Sequence, residues 1–106
     1  MARTLINLPK TARRGEVIEV RTTIAHVMET GLRSDDLGRP LPRNILTRFE
    51  CRYSGRLVFG ADLFTAISAN PYVAFFVRAE ATGPLALTWL GDNGFAQTET
   101  VQLTVT

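Results

Sequence analysis

The chain has 106 residues, 45% of them hydrophobic and 21% charged, with a formal net charge of +2. That is material for one domain spanning residues 1–106, and the balance excludes a disordered chain. A single cysteine (Cys51) and a single histidine (His26) exclude a zinc finger or ribbon, which needs about four such ligands, exclude an internal disulfide, and turn the reading from enzyme toward binding module.

The dominant hydrophobic period is two, the mark of half-buried strands. A short first strand, Thr4–Leu8, ends at Pro9, and Ala12–Gly15 reads as a turn. Over Glu16–Met28 the row Ile18, Val20, Thr22, Ile24, His26, Met28 faces inward against Glu19, Arg21 and Thr23. Thr30–Asn44 has two Gly, two Pro, two Asp and three Arg, with no period. It is expected to be a long irregular loop, and loops of that length are functional or mobile.

Arg48–Tyr53 alternates cleanly, with Phe49, Cys51 and Tyr53 on one face and Arg48, Glu50 and Arg52 on the other. Ser54-Gly55 then turns the chain into Leu57–Gly60, giving a hairpin. In Asp62–Pro71, Asp62 can cap a helical turn or two, which Asn70-Pro71 ends. The last inward rows are Val73, Phe75, Val77 and Ala79, then Leu85, Leu87 and Trp89, then Val101, Leu103 and Val105. Turns at Thr82–Pro84 and Gly91–Gly94 separate them. The sum is an all-β, immunoglobulin-like antiparallel β-sandwich of about seven strands with no disulfide.

The charge is uneven. Residues 1–56 hold eleven bases and six acids, a balance of +5, and residues 57–106 hold one base and four acids, a balance of −3. The arginines alternate with acids rather than forming a stripe, and no aromatic RNA-binding signature accompanies them, so nucleic acid is not an expected partner. The longest apolar run, Tyr72–Val77, is far short of the ~20 residues of a spanning helix. The N-terminus has no apolar core of a signal peptide. Neither a membrane span nor a leader of its own is expected.

Few residues invite chemistry. Cys51 has inward parity and reads as a buried structural thiol. His26 lies at the end of its strand beside Met28 and reads as a structural or loop-organising histidine. With one histidine and no nucleophile elbow there is no triad to assemble, and scattered carboxylates suit no strong metal site. Asp35-Asp36 reads as turn capping. No catalytic residue, metal or cofactor is expected. Tyr72 and Phe76 fall on the outer face of a strand whose inner face is already apolar. With Arg78 they form an expected partner interface, since exposed contiguous aromatic surface marks such sites.

Five stretches in register resemble the SoxZ family, the Z subunits of bacterial sulphur-oxidation (Sox) carrier complexes. They are Arg3–Val20, His26–Gly31, Phe49–Gly55, Ala69–Phe76, and Trp89 with Asp92–Glu99. The resemblance implies an immunoglobulin-like sandwich that forms a heterodimer with a SoxY-like subunit of related fold. The Y subunit carries the sulphur intermediate on a cysteine of a Gly-rich C-terminal arm. The Z subunit contributes scaffold and docking surface for a haem thiosulfate-conjugating protein, a hydrolase and a sulfane dehydrogenase in the periplasm, and is exported together with Y. This chain ends on a strand pattern rather than such an arm, so Cys51 is not expected to be the carrier thiol. His26, Met28, Asp92, Asn93 and Phe95 are candidates for a loop or docking surface. Isolated, a chain with this aromatic face can form a homodimer. The alternatives are a SoxZ-like module of another periplasmic redox system and a generic extracellular binding sandwich.

Overall fold

The computed structural model describes residues 1–106. Eight strands form two sheets: β1 (Thr4–Asn7), β2 (Thr11–Ala12), β3 (Val17–Ile24), β4 (Leu46–Tyr53), β5 (Arg56–Asp62), β6 (Tyr72–Arg78), β7 (Gly83–Gly91) and β8 (Ala96–Val105). One sheet has the order β1-β3-β6 and the other β2-β8-β7-β4-β5. All pairings are antiparallel except β2 with β8, where Thr11 and Ala12 lie alongside Thr104 and Val105. That two-residue strand makes the count eight rather than about seven, because two residues are too few to show a period.

Alternation decides what is buried. Ile18, Val20 and Ile24 of β3 face Phe49 and Cys51 of β4, and Leu85, Leu87 and Trp89 of β7, in one core of eighteen buried hydrophobic residues. Phe49 is its hub, with ring centroids 5.2 Å from Trp89, 5.7 Å from Phe75 and 6.1 Å from Phe59. Phe59 and Phe75 stack at 4.6 Å across the sheets and close one side of the sandwich. Ser54 and Gly55 both have positive φ, 49° and 86°, the signature of a two-residue hairpin turn between β4 and β5.

One expectation gives way and another is refined. The helical turn after Asp62 does not form: Asp62 ends β5 and pairs with Arg48 at 2.9 Å instead of capping, and a single turn closes from Ile67 N–H to the Phe64 carbonyl. The long loop lies outside any strand, as expected, yet it is ordered: it doubles back as a two-legged arm, with Glu29 bridged to Asn44 and Ser34 to Pro40. The Asp35 carboxylate caps its tip by accepting the N–H groups of Leu37 and Arg39, both at 2.9 Å. The molecule is 59 Å long and 21 by 19 Å across.

Candidate functional site

Two surfaces gather the residues singled out above. The first is the outer face of the three-stranded sheet. Register places Thr23 between Leu5 and Tyr72, Arg21 between Asn7 and Ala74, and Glu19 beside Phe76. Tyr72 is 59% exposed and Phe76 66%, while Phe75 and Val77 beneath them are buried. The Arg21–Glu19 pair, at 2.8 Å, lies beside the aromatics. Arg78 at the strand end donates to the Gly15 carbonyl at 3.0 Å. The exposure of Tyr72 and Phe76 leaves the face open, and β6 is also an edge strand. The outer face of the other sheet is polar by contrast, laced by Arg48 to Glu50 and Asp62, and by Arg52 to Glu50.

The second surface lies where the arm leaves the sandwich. Met28 is buried and takes a left-handed conformation (φ 50°). Its N–H donates to His26 Nδ1 at 3.1 Å, and its sulphur accepts the Leu46 N–H at 3.3 Å. With Nδ1 an acceptor, the neutral ring carries its proton on Nε2. Burial pushes the His26 pKa down, and the Asp92 charge only partly opposes it. The ring meets Phe95 edge-on at 5.5 Å. The His26 backbone is held by Asn70, whose side chain accepts its N–H at 3.0 Å.

Asp92 is committed elsewhere. Its carboxylate takes a two-pronged bond from Arg43, 2.8 Å on each side, and the Ile45 N–H at 3.1 Å. The Arg43 guanidinium holds it below the usual carboxylate range. This clamp ties the root of the arm to the β7–β8 turn, where Asn93 is exposed in a left-handed conformation (φ 60°). Beyond the clamp the arm exposes Leu32 (88%) and Leu37 (77%).

The structure therefore brings Tyr72, Phe76 and Arg78 together on one strand, and His26, Met28, Asp92, Asn93 and Phe95 together at the arm root. Cys51 lies apart from both. It has no solvent exposure, sits between Phe59 and Leu87 in the five-stranded sheet, and its pKa is pushed up to about 11 by burial. No hydrogen bond joins it to His26, and no three His, Cys, Asp or Glu side chains cluster as metal ligands. Nothing here assembles a nucleophile with a base.

Three positioning residues escape sequence reasoning. Arg43 and Asn70 meet partners 49 and 44 residues away, and no local signal announces that. Tyr53 did leave a signal, since inward parity buries a hydroxyl that then needs partners. It accepts the N–H groups of Glu80 (3.2 Å) and Ala81 (3.1 Å) and donates to the Ala81 carbonyl, locking the β6–β7 connection to β4.

Fold and surfaces together define an immunoglobulin-like β-sandwich held by packing alone, with one aromatic edge left uncovered. Solved structures share this fold. The superoxide reductase (neelaredoxin) of Ignicoccus hospitalis superposes with a TM-score of 0.76 at 13% identity, covering 99% of this chain and 82% of that one. A putative superoxide reductase of Thermotoga maritima gives 0.73 at 12%, covering 97% and 85%. The sulfur carrier protein SoxY of Chlorobium limicola f thiosulfatophilum gives 0.66 at 16%, covering 97% and 78%. At such identities the likeness is one of fold. The family model for the sulphur oxidation protein SoxZ matches residues 6–102. The chain belongs to the SoxZ family, which gives it a role in the Sox system. No curated protein matches it by direct sequence comparison.

Proposed function

We propose that the chain is the non-catalytic scaffold of a sulphur-carrier heterodimer. In this reading it binds a SoxY-like subunit through the Tyr72–Phe76 face, and that subunit bears the sulphur intermediate covalently. The arm root around His26, Asp92 and Phe95 serves as docking surface for the Sox enzymes that load and unload the cargo. The complex works in the periplasm, which the chain reaches together with its partner.

The observation that carries the reading is Cys51. It is the single thiol of a chain whose family handles sulphur. Yet it is sealed in the core with a pKa near 11, and a buried thiol that stays protonated neither attacks nor presents cargo. The thiol that holds sulphur then belongs to another chain. The test is co-expression with a SoxY-type subunit, incubation with thiosulfate and the purified Sox enzymes, and intact-mass and peptide mass spectrometry. Sulfonate or persulfide adducts are expected on the partner's cysteine. An adduct on Cys51, or the absence of a heterodimer, overturns the reading.

A further inference from the structure

The edges of the two sheets are not alike. β1 is four residues long and runs into Pro9, and β2 is two residues long. β5 faces a bulge in its pairing with β4 at Cys51/Arg52. It also carries Gly60, where the Arg48 guanidinium lies so close that an added Cβ would stand 2.5 Å from it. Short strands, proline, bulges and charge are the usual devices that keep an edge from pairing with another chain. β6 has none of them inside the strand: Pro71 precedes it and its single charge, Arg78, stands at its end. It is seven residues, Tyr-Val-Ala-Phe-Phe-Val-Arg, without Pro or Gly, and its pairing with β3 is unbroken from Val17/Arg78 to Thr23/Tyr72.

The phase of the ladder says which groups are free. Ala79 N–H donates to the Glu16 carbonyl and Ile24 N–H to the Pro71 carbonyl. Both couples continue the β3–β6 register. In an antiparallel pair such bonded couples recur every second residue, so Val73, Phe75 and Val77 spend their backbone groups on β3. The N–H and C=O groups of Tyr72, Ala74, Phe76 and Arg78 point away from the sheet. These are also the residues whose side chains lie on the exposed face.

We infer that β6 of the isolated chain pairs antiparallel with β6 of a second copy, about a two-fold axis through Phe75. The sequence of the strand argues for this occupant. In that register Ala74 stands opposite Phe76 of the other copy, small against large. Arg78 stands opposite the other Tyr72, a cation beside an aromatic face. No like charges meet, and each facing couple exchanges two backbone hydrogen bonds. A shift by two residues either way loses a couple, and one of the two shifts sets Phe76 against Phe76. The contact is one strand wide, so it belongs with small, weak interfaces, and association is expected at roughly micromolar concentrations. The pairing is a property of the chain by itself, and its fate is independent of the heterodimer reading.

Sedimentation velocity of the isolated chain across a concentration series is the first measurement, with a reversible dimer expected. Ala74→Pro is the informative variant. Its lost N–H faces the open edge rather than β3, where proline is tolerated, so the dimer constant should weaken by at least about tenfold with the fold retained. Hydrogen exchange of the wild-type protein, resolved by NMR, decides the matter even if that variant fails to fold. The amides of Ala74, Phe76 and Arg78 should gain protection as concentration rises. A chain that stays monomeric, a folded Ala74→Pro protein that dimerises as before, or a dimer whose outward β6 amides exchange at unchanged rates overturns the inference. The last of these would assign the contact to the sheet face instead.

Discussion

The heterodimer reading is most exposed at Phe76. Its side chain is 66% exposed, so about two thirds of its area is available to a partner. Full burial of a phenylalanine is worth roughly 1.5–3 kcal/mol, which leaves about 1–2 kcal/mol to be realised at the interface. Phe76→Ser is therefore expected to weaken binding of a SoxY-type subunit by about 5- to 30-fold. The same exposure limits the damage to the fold. The loss of strand propensity is at most about 1 kcal/mol, or about 4–8 °C in Tm for a domain of this size. Fluorescence titration of labelled chain at nanomolar concentration measures the first effect free of self-association, and calorimetry of the variant measures the second. A dissociation constant unchanged within twofold removes Phe76 from the interface. A Tm loss beyond about 15 °C would mean that the side chain supports the core, and the reasoning fails from the other side.

Tyr53→Phe removes the acceptor of the Glu80 and Ala81 amides. Both residues are exposed, so water takes over the amides and the cost is about 0.5–1.5 kcal/mol; the Tm should fall by roughly 2–12 °C with partner binding intact, and an unchanged Tm contradicts the assigned lock. His26 should titrate below its ordinary 6.5 with the proton of the neutral ring on Nε2. Because folding disfavours the charged ring, its contribution to stability is full above pH 6.5 and declines as pH falls below it. A value above 6.5 by NMR contradicts this. Asp92 has the opposite origin and the same direction. Its depressed carboxyl stabilises the clamp above the ordinary value of 3.8, and that stabilisation is lost as pH falls through the lower, folded value. Asp92→Asn should free the arm at neutral pH, read as faster tryptic cleavage after Arg33 and Arg43, and unchanged cleavage would show that the clamp does not hold it.

Period-two alternation made most of the sandwich legible. Leu85, Leu87 and Trp89 have inward parity, and all three are fully buried. The parity of Cys51 likewise matches its place in the core. What escaped the sequence was non-local. The arm has no hydrophobic period because its two legs are held by backbone bridges and ion pairs, Arg33 to Glu29 and Arg39 to Asp35, rather than by a buried face. Asp62 looked like a helix cap because its local context suits one, but Arg48, fourteen residues earlier, claims it. The candidate surface residues could be placed by parity and by loop position. The geometry that joins His26, Phe95 and Asp92 through Met28, Asn70 and Arg43 could not.

A two-layer sandwich leaves each sheet one face to solvent, and this chain treats the two faces differently. The five-stranded sheet meets water with Arg48, Glu50 and Arg52, while the three-stranded sheet presents Tyr72 and Phe76 beside an edge without protection. The departure from polar-out patterning is strongest on the three-stranded sheet, where Leu5 and Val17 are also exposed but the aromatics fall on β6, and such a departure points to a function for that face. The thiol shows the converse: Cys51, the residue of greatest chemical promise, obeys the patterning completely and is buried by it. In the proposed reading, reactivity belongs to the partner subunit and adhesion to β6. That is the division expected of a chain whose work is to hold another, and it makes the β6 edge, rather than any side chain with a pKa, the place where loss of function should begin.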